Sequence, residues 1–442
     1  MASSRRSSRT PSRSVSSTSL STRRRSTATP VLSPADKEKA VQINNACNER
    51  NLDALVHLAT SIHGLVSDDL RRVAWPILLG SIPAKHEQAP WKELPTHPDE
   101  GQVALDVHRA FVYYPKNGMN TQTPGGVVQF QPRTESEKHL DRLKEELSDI
   151  IVEILRRHPT LNYFQGYHDI VQVFLLVLGP HDAPAAVARL SLLRIRDFML
   201  STLDPAIAHL SLLKPILETA DPELYAHLPT SQPSFALADT LTMFAHHIQE
   251  YRDIARVFDF FLARHTVMPI YFFAGVVLSR REEMLVIDKE DEDIMHAMLG
   301  KLPQPFDVEF HIARAVELYE RLPPGKLGSW EWWNISSSSV LKTSTTPATL
   351  SRLELEDGEK WMQQQEKEVR RQQSRAKAKR SAQMLKRRLW VYRRQGVFGL
   401  AVIVGVYALW LGRSAGVGRL SAFAPLSELF RGVVGIARQV VS

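Results

Sequence analysis

The 442-residue chain contains a single cysteine, Cys47. One thiol excludes a disulfide framework and any cysteine-built zinc module, and it fits a fold kept in a reducing compartment. There is no Gly-rich phosphate loop ending in Lys-Ser/Thr, no His-Glu-x-x-His and no Gly-x-Ser-x-Gly elbow. Those absences remove three common catalytic constellations. Strictly alternating apolar runs joined by Asn-Gly or Asp-Gly turns are missing, so nothing predicts a hairpin sheet. No fixed repeat of 20–50 residues is present either. Acidic residues are absent from two stretches: 1–34 carries seven arginines and no acid, and 370–394 carries eleven Lys/Arg and no acid. The net charge of +7 therefore resides in the tails. These basic runs lack interleaved aromatics except beside an apolar segment, which points to lipid headgroups and not to nucleic acid.

What is present is hydrophobic content of 43%, enough for a sizeable core, patterned at helical spacing. Leu140, Leu143, Leu147, Ile150, Ile151 and Ile154 fall three and four apart. Pro159 stops that helix, and a second begins near Tyr167 with Ile170, Val173, Phe174 and Val177 on its buried stripe. Similar stripes recur at 185–200, 235–248, 255–263 and 307–322. The predicted fold class is all-α, with the folded domain over 36–330. Residues 1–35 form a Ser/Arg-rich tail that cannot offset its own ordering entropy.

Residues 331–395 read as a Ser/Thr-rich linker followed by a basic juxtamembrane helix, a spacer whose charge suits anionic headgroups. Residues 396–412 form an uncharged run of 17, GVFGLAVIVGVYALWLG. As a helix it spans roughly 26 Å, short for a bilayer and nearest the thin ER membrane. Dense Lys/Arg before it and sparse Arg413, Arg419, Arg431 and Arg438 after it predict a single-pass tail anchor with the large domain in the cytosol. Residues 413–442 are then a short lumenal tail, whose apolar positions from Leu426 to Val440 suit the far membrane surface.

Three fragments stand out in the folded part. Gly64-Leu65-Val66-Ser67-Asp68-Asp69-Leu70-Arg71-Arg72-Val73-Ala74-Trp75-Pro76-Ile77-Leu78-Leu79-Gly80 predicts a short helix. Ser67 would cap it, Leu70, Val73 and Trp75 would face inward, and Pro76 and Gly80 would limit it. In Val103-Ala104-Leu105-Asp106-Val107-His108-Arg109, Asp106 and Arg109 are i and i+3, placed for the carboxylate to steady the arginine. Tyr163-Phe164-Gln165-Gly166 lies in a loop, where a glutamine before a glycine can present its amide to a closely approaching ligand. Taken singly, these are core packing, a helix-surface ion pair and a loop leading into a helix. His168-Asp169 reads as a satisfied polar contact, and adjacent His246-His247 point to different sides of a helix, which opposes a shared metal.

In this order and spacing the fragments resemble the TBC domain of Rab GTPase-activating proteins. The Gly-Leu, Leu-Arg, Trp-Pro, Leu-Leu-Gly series at 64–80 carries the resemblance, with the IxxDxxR pattern at 103–109 and the YxQG pattern at 163–166. Arg256-Val257-Phe258-Asp259 completes it, and the motif-bearing core is 60–320. The stretch 163–171 and the C-terminal apolar run are most similar to an ER-anchored subgroup with fungal counterparts. The departures are Val103 for isoleucine, Phe258 for tryptophan and Gly64-Leu65-Val66 for Gly-Ile-Pro.

The resemblance implies a helical groove that binds a GTP-loaded Rab, with Arg109 as an arginine finger and Gln165 as a glutamine finger acting in trans. Asp106, Tyr163, Gly166, Arg256 and Asp259 are the implied supporting residues. It implies an activator that is not itself the hydrolase, with no cofactor of its own, GTP and Mg²⁺ being bound by the partner. The implied setting is the ER membrane and early secretory traffic. A catalytically silent, membrane-anchored Rab-binding scaffold is the alternative.

Overall fold

Helix α1, Pro34–Asn48, opens on Ser33, whose hydroxyl accepts from the Asp36 N–H, so helix begins inside the segment read as tail. The structure, a computed structural model, describes residues 33–81, 90–114, 135–229 and 233–414. The tail expected over 1–35 therefore lies outside the described residues up to 32, as does all but the start of the lumenal tail. Among the described residues every regular element is helical. Helix α2 is Leu52–Thr60, capped by Asn51, and α3 is Asp68–Leu78. Then come α4, Glu100–His108; α5, Glu135–Arg157; and α6, Tyr167–Leu193.

Helix α5 buries Leu143, Leu147, Ile150, Ile151 and Ile154 on one stripe and lies along α6; α4 crosses α5, and α3 packs on α6. Helix α6 is interrupted at Gly179, whose φ of 78° and following Pro180 break the ladder. Its apolar length would suit a membrane span, but 61% of its most apolar window is buried inside the domain. Trp75, Phe174 and Phe258 meet with ring centroids 5.3–5.9 Å apart, so the phenylalanine that replaces tryptophan fills a core position.

Four local expectations are corrected. Ser67 stands at the N-cap of α3 but makes no side-chain cap bond. Val73 is exposed because Arg71, Ala74, Trp75 and Leu78 occupy the buried side of that helix, and the helix runs through Pro76 to Leu78. The stripe at 235–248 is helical only to Leu241. Beyond it the chain turns through Met243 and Phe244 at φ of 50° and 67°.

The largest departure is the linker. Residues 335–369 pack on the domain, burying Ile335, Val340, Leu341, Leu350 and Met362. Arg196, fully buried, donates to the Ser338 carbonyl, the Thr343 hydroxyl and the Gln365 amide oxygen. Asp197 accepts from the Val340 N–H and from Gln365 Nε2. Burial opposes its charge, but the His209 bond and other donors prevail and hold its carboxyl down at about 2. The hydroxyls that gave the segment a linker's composition are spent instead as caps, Ser339 and Thr346, and as partners for buried Arg196. From Leu355 to Ser414 the chain is one helix, its start docked on α6 by Gly358, where a Cβ would meet the Leu192 backbone oxygen at 2.9 Å.

His311, 3% exposed, stacks on Phe306 at 4.8 Å and leaves Nδ1 without a hydrogen-bond partner among the described residues. Burial pushes its pKa down to about 4. The unfolded chain takes up that proton from about pH 6.5 downward, while the folded chain resists until about 4, so stability is lost as pH falls through this window. The expected slope from this one group is at most about 1.4 kcal/mol per pH unit. Thermal unfolding followed from pH 7 to 5 should show a falling Tm, and His311→Phe should flatten part of that slope.

Candidate functional site

Asp106, Val103 and Val107 line the inner side of α4, and the helix ends at His108. Arg109 is the C-cap, its N–H closing on the Asp106 carbonyl at 3.0 Å. Its side chain is exposed and makes no hydrogen bond or ion pair among the described residues. The expected Asp106–Arg109 pairing does not form. Asp106, 2% exposed, faces inward and accepts from Gln102 Nε2 at 3.0 Å and from the Tyr163 hydroxyl at 3.0 Å. Arg109 has left the helix and lies exposed. Two residues on, Phe111 takes a left-handed φ of 64°, and its N–H donates to Oε1 of buried Gln172 on α6.

Tyr163 is the joint between α4 and the 163–166 loop. Its N–H donates to Asp99, its hydroxyl donates to Asp106, and His168 Nδ1 lies 3.1 Å from the same oxygen. Burial first, and the Asp106 carboxylate second, push the phenol well above its usual range, so it stays a donor. Gln165 is exposed. Gly166 sits at φ 102°, and a Cβ there would come 2.6 Å from Thr242 Cγ2. Gly166→Ala should lower both stability and activity, with a backbone strain of about 1–3 kcal/mol. Thr242→Ser in the same background removes the clashing methyl and should recover the steric part only, which a double-mutant cycle of Tm values separates.

Arg256 and Asp259 belong to a different place. Asp259, fully buried, accepts from Arg71 Nε and Nη2, from Trp75 Nε1 at 2.8 Å and from the Leu65 N–H at 2.9 Å. Arg256 bridges Glu309 to the carbonyls of Ala59 and Ser61. Both close over Gly64, whose φ is 52° and where a Cβ would meet Asp259 Oδ2 at 2.5 Å. They hold the α2–α3 turn and do not touch the Asp106–Tyr163 pair. The sequence reading missed Asp99, Gln172, Thr242 and the Asp169–His246 bond of 3.0 Å. His168-Asp169, next to the glutamine loop, was a local signal. Thr242 and His246, some eighty residues on, had none. His246 and His247 lie not on a helix but in the turn beyond Leu241, their rings 4.9 Å apart, and each bonds a different carboxylate, Asp169 and Asp239.

An exposed arginine and an exposed glutamine thus stand on two segments joined through the Asp106–Tyr163 contact of an all-helical domain. The Rab-GTPase-TBC domain family matches residues 68–286. TBC1 domain family member 20 of Bos taurus is 38% identical over 296 residues, 66% of this chain and 69% of that protein. The Homo sapiens protein of the same name is also 38% identical over the same shares. GTPase-activating protein gyp10 of Schizosaccharomyces pombe is 29% identical over 70% of this chain and 80% of its own. The chain belongs to the TBC-domain Rab GTPase-activating proteins, and its partner is a Rab GTPase.

Proposed function

We propose that Arg109 and Gln165 enter the nucleotide site of a GTP-bound Rab and together accelerate hydrolysis. One contact carries the reading: the Tyr163 hydroxyl on Asp106 at 3.0 Å. It ties the loop bearing Gln165 to the helix that ends just before Arg109, while both side chains remain exposed. GTP hydrolysis passes through a loose transition state with charge spread over the γ-phosphoryl oxygens, so help is mainly electrostatic and positional. A guanidinium keeps its charge and offers a planar fork of donors to those oxygens. A glutamine amide donates and accepts at once, which suits it to orient the attacking water. GTP and Mg²⁺ come with the Rab, and this chain brings no cofactor. Asp106, Tyr163 and Gly166 set the fingers' geometry, whereas Arg256 and Asp259 support the fold around the α2–α3 turn.

The apolar run 396–412 is proposed as a single-pass anchor in the ER membrane, with the helical domain cytosolic and early secretory traffic as its setting. Support comes from the uncharged length, the Lys/Arg asymmetry and the resemblance to an ER-anchored subgroup. The basic segment would meet anionic headgroups near the bilayer. Residues 370–395 lie within one continuous helix, so that segment would act as a stalk of about 39 Å.

The test is single-turnover hydrolysis by the full chain against a panel of GTP-loaded ER and Golgi Rabs, beside Arg109→Ala and Gln165→Ala. Acceleration of one or two Rabs, lost in both variants, is expected. Binding without acceleration would make the protein a Rab-binding scaffold.

A further inference from the structure

The turn at 242–247 touches both finger loops. On one side Tyr114, five residues after Arg109, donates its hydroxyl to the Ala245 carbonyl at 3.0 Å. On the other, His246 Nδ1 bonds Asp169 Oδ2 at 3.0 Å, four residues after Gln165 and in the first turn of α6. Thr242 presses its methyl against Gly166 between them. The turn is itself tightly determined. Met243 and Phe244, neither of them glycine, stand consecutively at positive φ, a conformation that costs free energy unless the surroundings impose it. Phe244 imposes it by packing among Phe261, Phe272 and Phe273, and its N–H donates to the Asp239 carbonyl at 2.7 Å. His247 adds a bond to the Asp239 carboxylate at 2.6 Å.

We propose that the 242–247 turn is a platform that sets the separation of Arg109 and Gln165, and that His246 is a positioning residue clasping the glutamine loop through Asp169. The inference rests on the two-finger reading. Helix α6 lacks a side-chain cap, because its N-cap is Gly166. The loop before it therefore depends on outside contacts for its position. Tyr163 fixes the near end, and the Asp169–His246 bond fixes the first helical turn beyond it. Misplacement of a catalytic group by about 1 Å can cost on the order of 10²-fold in rate.

The groups facing His246 are Asp169, Asp239, His168 and His247, with Asp106, Tyr163 and Tyr114 behind them. The Asp169 hydrogen bond holds the His246 imidazole above its usual pKa. The clasp is therefore charge-assisted at lower pH and weakens as pH rises through the folded-state value.

The experiment measures kcat and KM of the full chain, acting on the GTP-loaded Rab it accelerates most, for wild type, His246→Ala, His246→Asn, Arg109→Ala and Gln165→Ala. His246→Ala should lose about ten- to hundredfold in kcat, with KM and Tm little changed. His246→Asn keeps a donor at the Nδ1 position and should recover most of the loss. The ratio of wild-type to His246→Asn kcat should decline as pH rises past the ordinary imidazole range, since only the imidazole loses a proton there. A His246→Ala enzyme with normal kcat, or a defect confined to KM or Tm, overturns the clasp while Arg109→Ala and Gln165→Ala still fail. Retained acceleration in those two variants overturns the finger reading and the clasp with it.

Discussion

Arg109→Ala should abolish most of the acceleration of Rab GTP hydrolysis, a loss of about 10³–10⁵-fold, equivalent to roughly 4–7 kcal/mol of barrier. The thermal unfolding of the protein should not move. Arg109 is exposed at a helix C-cap and bonds no other side chain among the described residues, so its removal leaves no buried partner behind. Arg109→Lys should be nearly as inactive. Lysine keeps the charge but not the planar fork that meets two phosphate oxygens together. Single-turnover hydrolysis at saturating activator reads the effect directly. A lysine variant as fast as wild type would sink the claim that fork geometry matters.

Asp259→Ala should act on the fold with equal force. Its carboxylate is fully buried and takes hydrogen bonds from Arg71, Trp75 and the Leu65 backbone. Arg71, itself only 5% exposed, would be left as a buried cation with Asp68 alone. Breaking such a pair from one side typically costs about 3–5 kcal/mol. For a domain of this size that lowers Tm by roughly 4–8 °C. Asp259→Asn preserves the shape and some acceptors but not the charge, so it should fall between. Paired Tm and hydrolysis measurements at low temperature distinguish this residue from Arg109. Where the Asp259 variants remain folded, the Rab should still be accelerated, because Asp259 does not touch the finger network.

Helix periodicity made much of the architecture readable. The stripe on α5 and the start of α6 at Tyr167 depend on residues three and four apart, a local property. Short motifs likewise made Arg109 and Gln165 legible as candidates, and the fold leaves both exposed. Their support was less legible. Asp106 looked like the partner of Arg109 because i and i+3 are neighbours on a helix, but α4 ends one residue before the arginine. The carboxylate instead meets Tyr163, 57 residues away in the chain. The 335–349 stretch read as linker because Ser and Thr are frequent in loops. Nothing local announced that a buried arginine 140 residues earlier would need those oxygens.

The sequence by itself determined the all-helical class, the candidate positions Arg109 and Gln165 and the apolar C-terminal run. Each is written in spacing or composition within a few turns of chain. Only the tertiary structure decided that Arg256 and Asp259 guard the α2–α3 turn, that residues 335–369 belong to the domain, and that one strained turn at 242–247 contacts the segments next to both Arg109 and Gln165. Those outcomes depend on which buried donors and acceptors are left over after the helices pack. A buried polar group must find its partner wherever the fold happens to bring one.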